Sequence, residues 1–195
     1  MTAIERTSGA GPFTWADIEG EPEDGLRREI IGGTLVVNPS PAGRHQVLGQ
    51  QLWRVLDDNA PESLVVVVAP FDWRYDDHGV VVPDIVVCRA DDFDLDGPLR
   101  TPAVPVLLVE VQSPSNAAYD RLLKRDLYER LGVPDYWLVD PGSTDRPVSL
   151  TALALDGRGQ YQVGAEASGA ESFSTDRPFP VSFAPADLLR GPARD

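Results

Sequence analysis

The stretch VVVPDIVVC, Val80 to Cys88, is a run of β-branched and apolar residues interrupted by one proline and one aspartate. Such a run predicts a buried strand. An aspartate inside it is costly unless its carboxylate is paired, hydrogen-bonded or bound to a metal ion. The alternative is that Asp84 faces solvent at a sheet edge, which Pro83 would permit. The stretch therefore predicts either a site built into a sheet or an ordinary edge strand.

A second run of the same kind, VLLVEVQ from Val106 to Gln112, also carries a carboxylate near its end. Because side chains alternate along a strand, Glu110 and Gln112 share one face. Two acids in neighbouring apolar strands repel each other unless a positive charge lies between them. A divalent cation is the simplest such charge, and Mg²⁺ favours one or two carboxylates plus waters and phosphate oxygens.

The residues after this strand predict a helix from Asn116 to Leu131, ended by Gly132 with Pro134 just beyond. Helical spacing places Leu123, Leu127 and Leu131 on an inward stripe, with Lys124 and Tyr128 beside it and Arg121, Arg125 and Glu129 facing solvent. Lys124 is the only lysine among 17 basic residues. Its ammonium either reaches the acidic pair or forms an exposed pair with Asp120.

The rest of the chain predicts an α/β (α+β) fold: a mixed β-sheet flanked by helices, with an N-terminal and a C-terminal β-hairpin. The first hairpin is Arg28–Ile31 and Thr34–Val37 around Gly32-Gly33, and an amphipathic helix runs from Gly43 to Asp58. The second hairpin is Val148–Leu155 with Tyr161–Val163. We expect a flexible N-terminus over residues 1–12, one domain over 13–190, and a flexible tail over 191–195.

The composition of the chain excludes several classes of protein. The chain of 195 residues has a formal charge of −14, which argues against holding nucleic acid by general electrostatics. Any such contact must therefore be local. Cys88 is the single cysteine, which excludes an intramolecular disulfide and a cysteine-based zinc cluster. No apolar run approaches the roughly 20 residues of a membrane span, and no secretory signal is visible, so we expect a cytoplasmic location and no membrane partner.

Several motifs together resemble the Uma-two family of endonucleases, a branch of the restriction-endonuclease-like PD-(D/E)XK superfamily. They span about Phe13 to Leu155 and are Pro83-Asp84, Glu110–Ser115, the spacing Tyr119-Asp120-Arg121-x-x-Lys124-x-x-x-Tyr128, Gly132–Pro141, the hairpin Arg28–Leu35, and Pro39-Ser40 with His45. The sequence departs from the family at Gly32, where an aspartate is usual, which we interpret as turn chemistry. The superfamily's usual lysine position holds Gln112, and the resemblance implies that Lys124 takes over that role.

The resemblance implies a magnesium or manganese site held by Asp84, Glu110 and the backbone carbonyl of Val111. It also implies catalytic roles for Lys124, Gln112 and Glu29. The resemblance also suggests three residues that would contact the metal ligands without binding the metal themselves: His45, Asp120 and Tyr128. Taken alone, Glu29 indicates a solvated strand residue, and His45 indicates a structural residue at the start of a helix.

The sequence thus predicts a metal-dependent nuclease that cuts DNA, with RNA as an alternative substrate. Two other classes stay open. The acidic charge and the lack of a basic stripe favour a catalytically silent nuclease-like scaffold or binding module, and a hydrolase of small phosphorylated substrates would need no extended basic groove. An exposed hairpin edge and an apolar segment, Phe179–Leu189, make a homodimer a further candidate.

Overall fold

The computed structural model describes residues 2–4, 11–20, 24–39, 43–93, 99–100, 103–113 and 120–189. The described strands, in chain order, are Thr2–Ile4 (β1), Leu26–Ile31 (β2), Thr34–Pro39 (β3), Leu64–Val68 (β4), Trp73–Asp76 (β5), Gly79–Val81 (β6), Ile85–Arg89 (β7), Leu99–Arg100 (β8), Leu107–Val111 (β9), Asp135–Asp140 (β10), Ser149–Leu155 (β11), Tyr161–Ser168 (β12), Phe173–Thr175 (β13) and Val181–Phe183 (β14). The described helices are Arg44–Asn59 (α1) and Arg125–Arg130 (α2), the latter continuing a π-helical turn, Asp120–Lys124. Short 3₁₀ turns lie at Trp15–Asp17, Ala90–Asp92 and Pro185–Leu189.

One six-stranded sheet is built around the predicted N-terminal hairpin, in the order β1-β3-β2-β6-β5-β8. Strands β2 and β3 pair antiparallel from Leu26 opposite Pro39 to Ile31 opposite Thr34. The turn between them needs two glycines, because Gly32 and Gly33 have φ values of 56° and 77°. Residues 2–4, which we expected to lie in a flexible N-terminus, instead form β1 and pair with β3.

The second six-stranded sheet has the order β12-β11-β10-β9-β7-β4 and is mixed, as predicted. Strands β9 and β10 run parallel, whereas β9 with β7, β7 with β4, and β10 with β11 are antiparallel. The C-terminal hairpin, β11 with β12, is present and extends to Ser168, five residues further than predicted. This sheet places β7, which follows Asp84, directly beside β9, which carries Glu110.

The two faces of the second sheet pack against different partners because side chains alternate along its strands. On one face, Leu107 and Val109 of β9 pack with Leu48, Leu52 and Leu56 of α1. On the opposite face, Leu108 packs with Leu127 and Tyr128 of α2. Glu110 has the same parity as Leu108, so the alternation directs its carboxylate toward α2.

The inward face of the segment around α2 differs from the prediction. Lys124, Leu127 and Tyr128 are buried as expected, but Leu123 is 40% exposed. The π-helical turn through Lys124 changes the angle per residue, so a uniform 100° rotation misplaces Leu123. Residues 116–119 of the predicted helix lie outside the described residues.

Two residues of this segment that we predicted to face solvent do not do so fully. Arg125 and Glu129 are half-buried, because their side chains hydrogen-bond to the backbone carbonyl and amide of Tyr161.

The C-terminal apolar segment is part of the core. Phe179, Val181 and Leu188 are buried and pack in the same cluster as α1. These side chains are therefore not an apolar surface for self-association, contrary to our expectation for Phe179–Leu189. Among the described helices, none has the length and apolar character that a membrane crossing demands.

Candidate active site

A buried lysine joins two carboxylates from different sheets. Lys124 Nζ lies 2.8 Å from Glu29 Oε1 and 2.8 Å from Glu110 Oε1. Lys124 and Glu110 are each 3% exposed and Glu29 only 1%. The single lysine of the chain thus faces the sheet, as predicted, and its ammonium bridges the N-terminal hairpin and the central strand β9.

Further hydrogen bonds hold both glutamates in place. Glu29 Oε1 accepts from the backbone amide of Val82 at 2.9 Å, and its Oε2 accepts from Asn38 Nδ2 at 3.4 Å. The phenol of Tyr128 donates to Glu110 Oε1 at 2.8 Å. Burial, together with the charge of Glu110, raises the pKa of Tyr128 well above its usual range, so the phenol remains a donor. A buried carboxylate needs such partners, because an unpaired one is strongly unfavourable.

Asp84 is fixed by the strands on either side of it. Its amide donates to the carbonyl of Val109 at 3.1 Å, and its carbonyl accepts from the amide of Ala69 at 2.9 Å. Its Oδ2 accepts from the amide of Val111 at 2.8 Å. Asp84 is buried, so the solvent-facing alternative from the sequence does not apply.

Two basic side chains meet the carboxylate of Asp84. Arg27 NH1 lies 2.7 Å from Oδ1, and His45 Nε2 lies 3.1 Å from Oδ2. Burial alone would raise the pKa of Asp84, but the hydrogen bond from His45 and the charge of Arg27 outweigh it and lower the pKa. This carboxylate is therefore ionised at neutral pH.

Arg27 was missed in the sequence and links the two halves of the site. Burial would lower the pKa of its guanidinium, but Asp84, and more weakly Glu110 and Glu29, raise it. One signal could have found it: Arg27 and Glu29 are two apart on the same strand, so they share a face. Asn38, also missed, lies opposite Arg27 in the hairpin register.

The acidic pair thus has positive side chains beside it in this structure. Lys124 lies against Glu110 and Arg27 lies against Asp84, so each of these two carboxylates has a cationic partner. Within the described part of the chain, no group of three or more His, Cys, Asp or Glu is arranged to hold a metal ion. The donors nevertheless fit magnesium, which takes carboxylate oxygens, uses one or two of them, and completes its shell with water.

A cleft of about 290 Å³ opens beside Asp84. Arg27 and His45 line it together with Gln46, Gly49 and the segment after β4. The cleft gives solvent and solutes of limited size a route toward the Asp84 carboxylate.

The remaining predicted site residues are Gln112, Asp120 and His45. Gln112 is buried at the end of β9 and lines a second cavity, of about 410 Å³, with Leu122 and Arg125. The side chain of Asp120 lies outside the described part of the structure. His45, for which the sequence alone indicated a structural role, contacts Asp84 directly.

Comparisons with known proteins agree with this arrangement of strands. The model of the Uma2 (Uma-two) family, described as "Putative restriction endonuclease", matches residues 15–186. A solved structure from Anabaena variabilis ATCC 29413, described as a "putative nuclease belonging to DUF820", superposes with a TM-score of 0.70. The two sequences are 18% identical, and the match covers 91% of this chain and 98% of that one. No curated protein matches the chain.

The likeness to the solved structure establishes a restriction-endonuclease-like fold. The family model covers most of the chain, including Glu29, Asp84, Glu110 and Lys124. The chain belongs to the Uma2 family of restriction-endonuclease-like proteins.

Proposed function

We propose that this protein is a magnesium- or manganese-dependent endonuclease that hydrolyses phosphodiester bonds of DNA. The single observation that supports this most is the ammonium of Lys124, buried between Glu29 and Glu110. Asp84 lies immediately before β7, which pairs antiparallel with β9, the strand that carries Glu110. Family membership supports a nuclease at the level of the class.

Asp84 and Glu110 are the proposed metal ligands, with the backbone carbonyl of Val111 as a third. A divalent cation held there would polarise a phosphate oxygen and acidify a water molecule. Arg27 NH1 lies 2.7 Å from Asp84 Oδ1, so the guanidinium would lie beside a cation held at this carboxylate.

Lys124 is proposed to stabilise the negative charge that develops during the reaction. Its Nζ would donate a hydrogen bond to the attacking water or to the phosphate oxygens as negative charge develops there. Glu29 positions the ammonium through the 2.8 Å contact. Arginine would be a poorer substitute because it is a planar fork instead of a compact point charge.

The other residues have supporting roles in this proposal. Tyr128 orients Glu110 through its phenol, and His45 orients Asp84. Gln112, at the place of the superfamily's usual lysine, and Asp120, on the π-helical turn, are proposed to help position the strand end and Lys124.

The experiment is nicking of supercoiled plasmid DNA with added Mg²⁺ or Mn²⁺. We expect conversion to the open-circular form, and its loss in Asp84→Asn, Glu110→Gln and Lys124→Met. Asp135→Asn is the matched control, because Asp135 is also buried and paired with an arginine, Arg177 at 2.8 Å, but lies outside the site. Circular dichroism checks that each variant is folded.

The outcomes separate the alternative classes. Equal activity in wild type and in the three site variants would exclude this site as the source of cleavage. A folded protein that binds Mn²⁺ but cleaves neither DNA nor RNA would indicate a silent module. Cleavage of nucleotides with no effect on plasmid would indicate a hydrolase of small phosphorylated substrates.

A further inference from the structure

The cleft beside Asp84 differs in charge from the protein as a whole. The chain carries a formal charge of −14, yet Asp84 is the one acid among the lining residues of the cleft and Arg27, which also lines it, balances its charge. The side chain of Arg27 is 19% exposed and lines the cleft, while its NH1 lies 2.7 Å from the carboxylate of Asp84. Arginine is suited to phosphate because its fork of N–H groups can donate two parallel hydrogen bonds.

One wall of the cleft has an unusual helix residue. Gly49 lies in the middle of α1, where glycine is unfavourable relative to alanine. Apart from its chain neighbours and the backbone of its own helix, no described atom lies within 4 Å of the position that a Cβ at Gly49 would occupy, although the residue itself is buried. Packing within the protein therefore does not require glycine here, and a side chain at this position would extend into open space. Glycine permits the closest approach of a ligand to the helix backbone.

Polar groups flank this glycine on the same wall. Gln46 and Gln50 are four residues apart on α1, so their side chains are neighbours on the helix surface. Both line the cleft and both are exposed. An amide side chain can donate and accept hydrogen bonds, which suits a sugar or a base edge. The volume, about 290 Å³, is at the lower end for ligand clefts, so it suits one nucleotide unit instead of a duplex.

We propose that this cleft is a subsite for one nucleotide of a nucleic-acid strand, with Arg27 as the anchor for its phosphate and Gly49 keeping the space open. This rests on the proposed nuclease function and adds the place and the determinants of substrate binding. The phosphate lies at the end of the cleft where Arg27 meets Asp84. The attached nucleoside lies along α1, beside Gln46 and Gln50.

The test is fluorescence anisotropy with a short, labelled single-stranded thymidine oligonucleotide in EDTA, so that binding is measured without cleavage. We expect Arg27→Gln to weaken binding about tenfold or more, because a charge-assisted phosphate contact is lost. It should also lower the slope of log affinity against log salt by about 0.7, the value for one phosphate contact on a single strand. Gly49→Leu should weaken binding to a similar extent by filling the cleft.

Two controls make the result specific. Arg54→Gln removes the same charge from an exposed position of α1 that is not part of the cleft lining, and should change affinity less than about twofold. Gly49→Ala should raise the melting temperature, because alanine favours the helix and meets no atom, while still weakening binding. If Arg27→Gln fails to fold, Gly49→Leu tests the cleft by itself.

The outcomes distinguish this inference from the proposed function. If Gly49→Leu and Arg27→Gln bind and nick DNA as the wild type does, the subsite is wrong while the nuclease function stands. If the wild type nicks no DNA but oligonucleotide binding depends on Arg27 and Gly49, the subsite stands without the nuclease. Equal competition by thymidine monophosphate and by unlabelled oligonucleotide would show a small-molecule site and overturn the strand assignment.

Discussion

Glu110 Oε1 receives two buried hydrogen bonds, one from Lys124 and one from Tyr128, and the second can be removed alone. Tyr128→Phe keeps the ring and deletes the donor to a charged acceptor. We expect it to lower the free energy of unfolding by about 1.5–3 kcal/mol. Urea denaturation measures the change.

Tyr161→Phe is the matched control for this change. Its phenol also donates a buried hydrogen bond of 2.8 Å, but to the neutral carbonyl of Val133. The expected cost is about 0.5–1.5 kcal/mol. A smaller effect at Tyr128 than at Tyr161 would contradict the charged bond to Glu110.

The contacts of Asp84 predict a pH dependence of stability. His45 and Arg27 lower its pKa in the folded protein despite burial, so folding favours the ionised form. Its contribution is therefore fully present above the unfolded pKa of about 3.9 and is lost as the pH falls through the folded pKa. We expect the difference in unfolding free energy between wild type and Asp84→Asn to shrink as the pH is lowered from 6 to below 4.

Urea denaturation of both proteins across this pH series measures that difference. A difference that widens on acidification would mean that the folded pKa of Asp84 is raised instead. The control is Asp135→Asn. Burial raises the pKa of Asp135 more than Arg177 lowers it, so its dependence should have the opposite sign.

At the scale of single elements, the end of α2 depends on a left-handed residue. Gly132 has a φ of 74°, and no atom lies within 4 Å of where a Cβ would be. A side chain there meets no steric obstacle, so the cost of Gly132→Ala is conformational, about 1–2 kcal/mol. Thermal or urea unfolding should show it. Gly157→Ala, at a position with open space and no positive φ, should change stability by less than about 0.5 kcal/mol.

Strands were easier to predict from this sequence than the phase of the helix around Lys124. The hairpin, α1 and the run through Glu110 were confirmed, because each has a clear period or a glycine turn. Leu123 was misplaced since a π-helical turn has no signal in hydrophobic spacing. For the site, Lys124 was found by its rarity, whereas Arg27 was hidden among many arginines. Local spacing in the sequence does not predict which carboxylate, far away along the chain, will pair with a given arginine.

Considered as a whole, the molecule assembles the candidate site from both sheets and one helical segment. Glu29 and Arg27 come from the first sheet, Asp84 and Glu110 belong with the second, and Lys124 comes from the π-helical turn. The site therefore forms only when the two sheets are correctly placed together. Its charges nearly balance locally, while the chain as a whole stays at −14.

Because the site is nearly neutral and the chain as a whole has a formal charge of −14, we expect nucleic-acid binding to depend only weakly on salt. The log of affinity falls with the log of salt by about 0.7 for each phosphate contacted on a single strand. With Arg27 as the charged group that reaches the solvent of the cleft, and a net charge that repels the rest of the strand, we expect a slope of about −2 or shallower. Anisotropy titrations of a labelled oligonucleotide in EDTA at increasing salt measure it. A slope as steep as about −5 would require a basic surface of several residues acting together, and it would place the principal contacts outside the cleft.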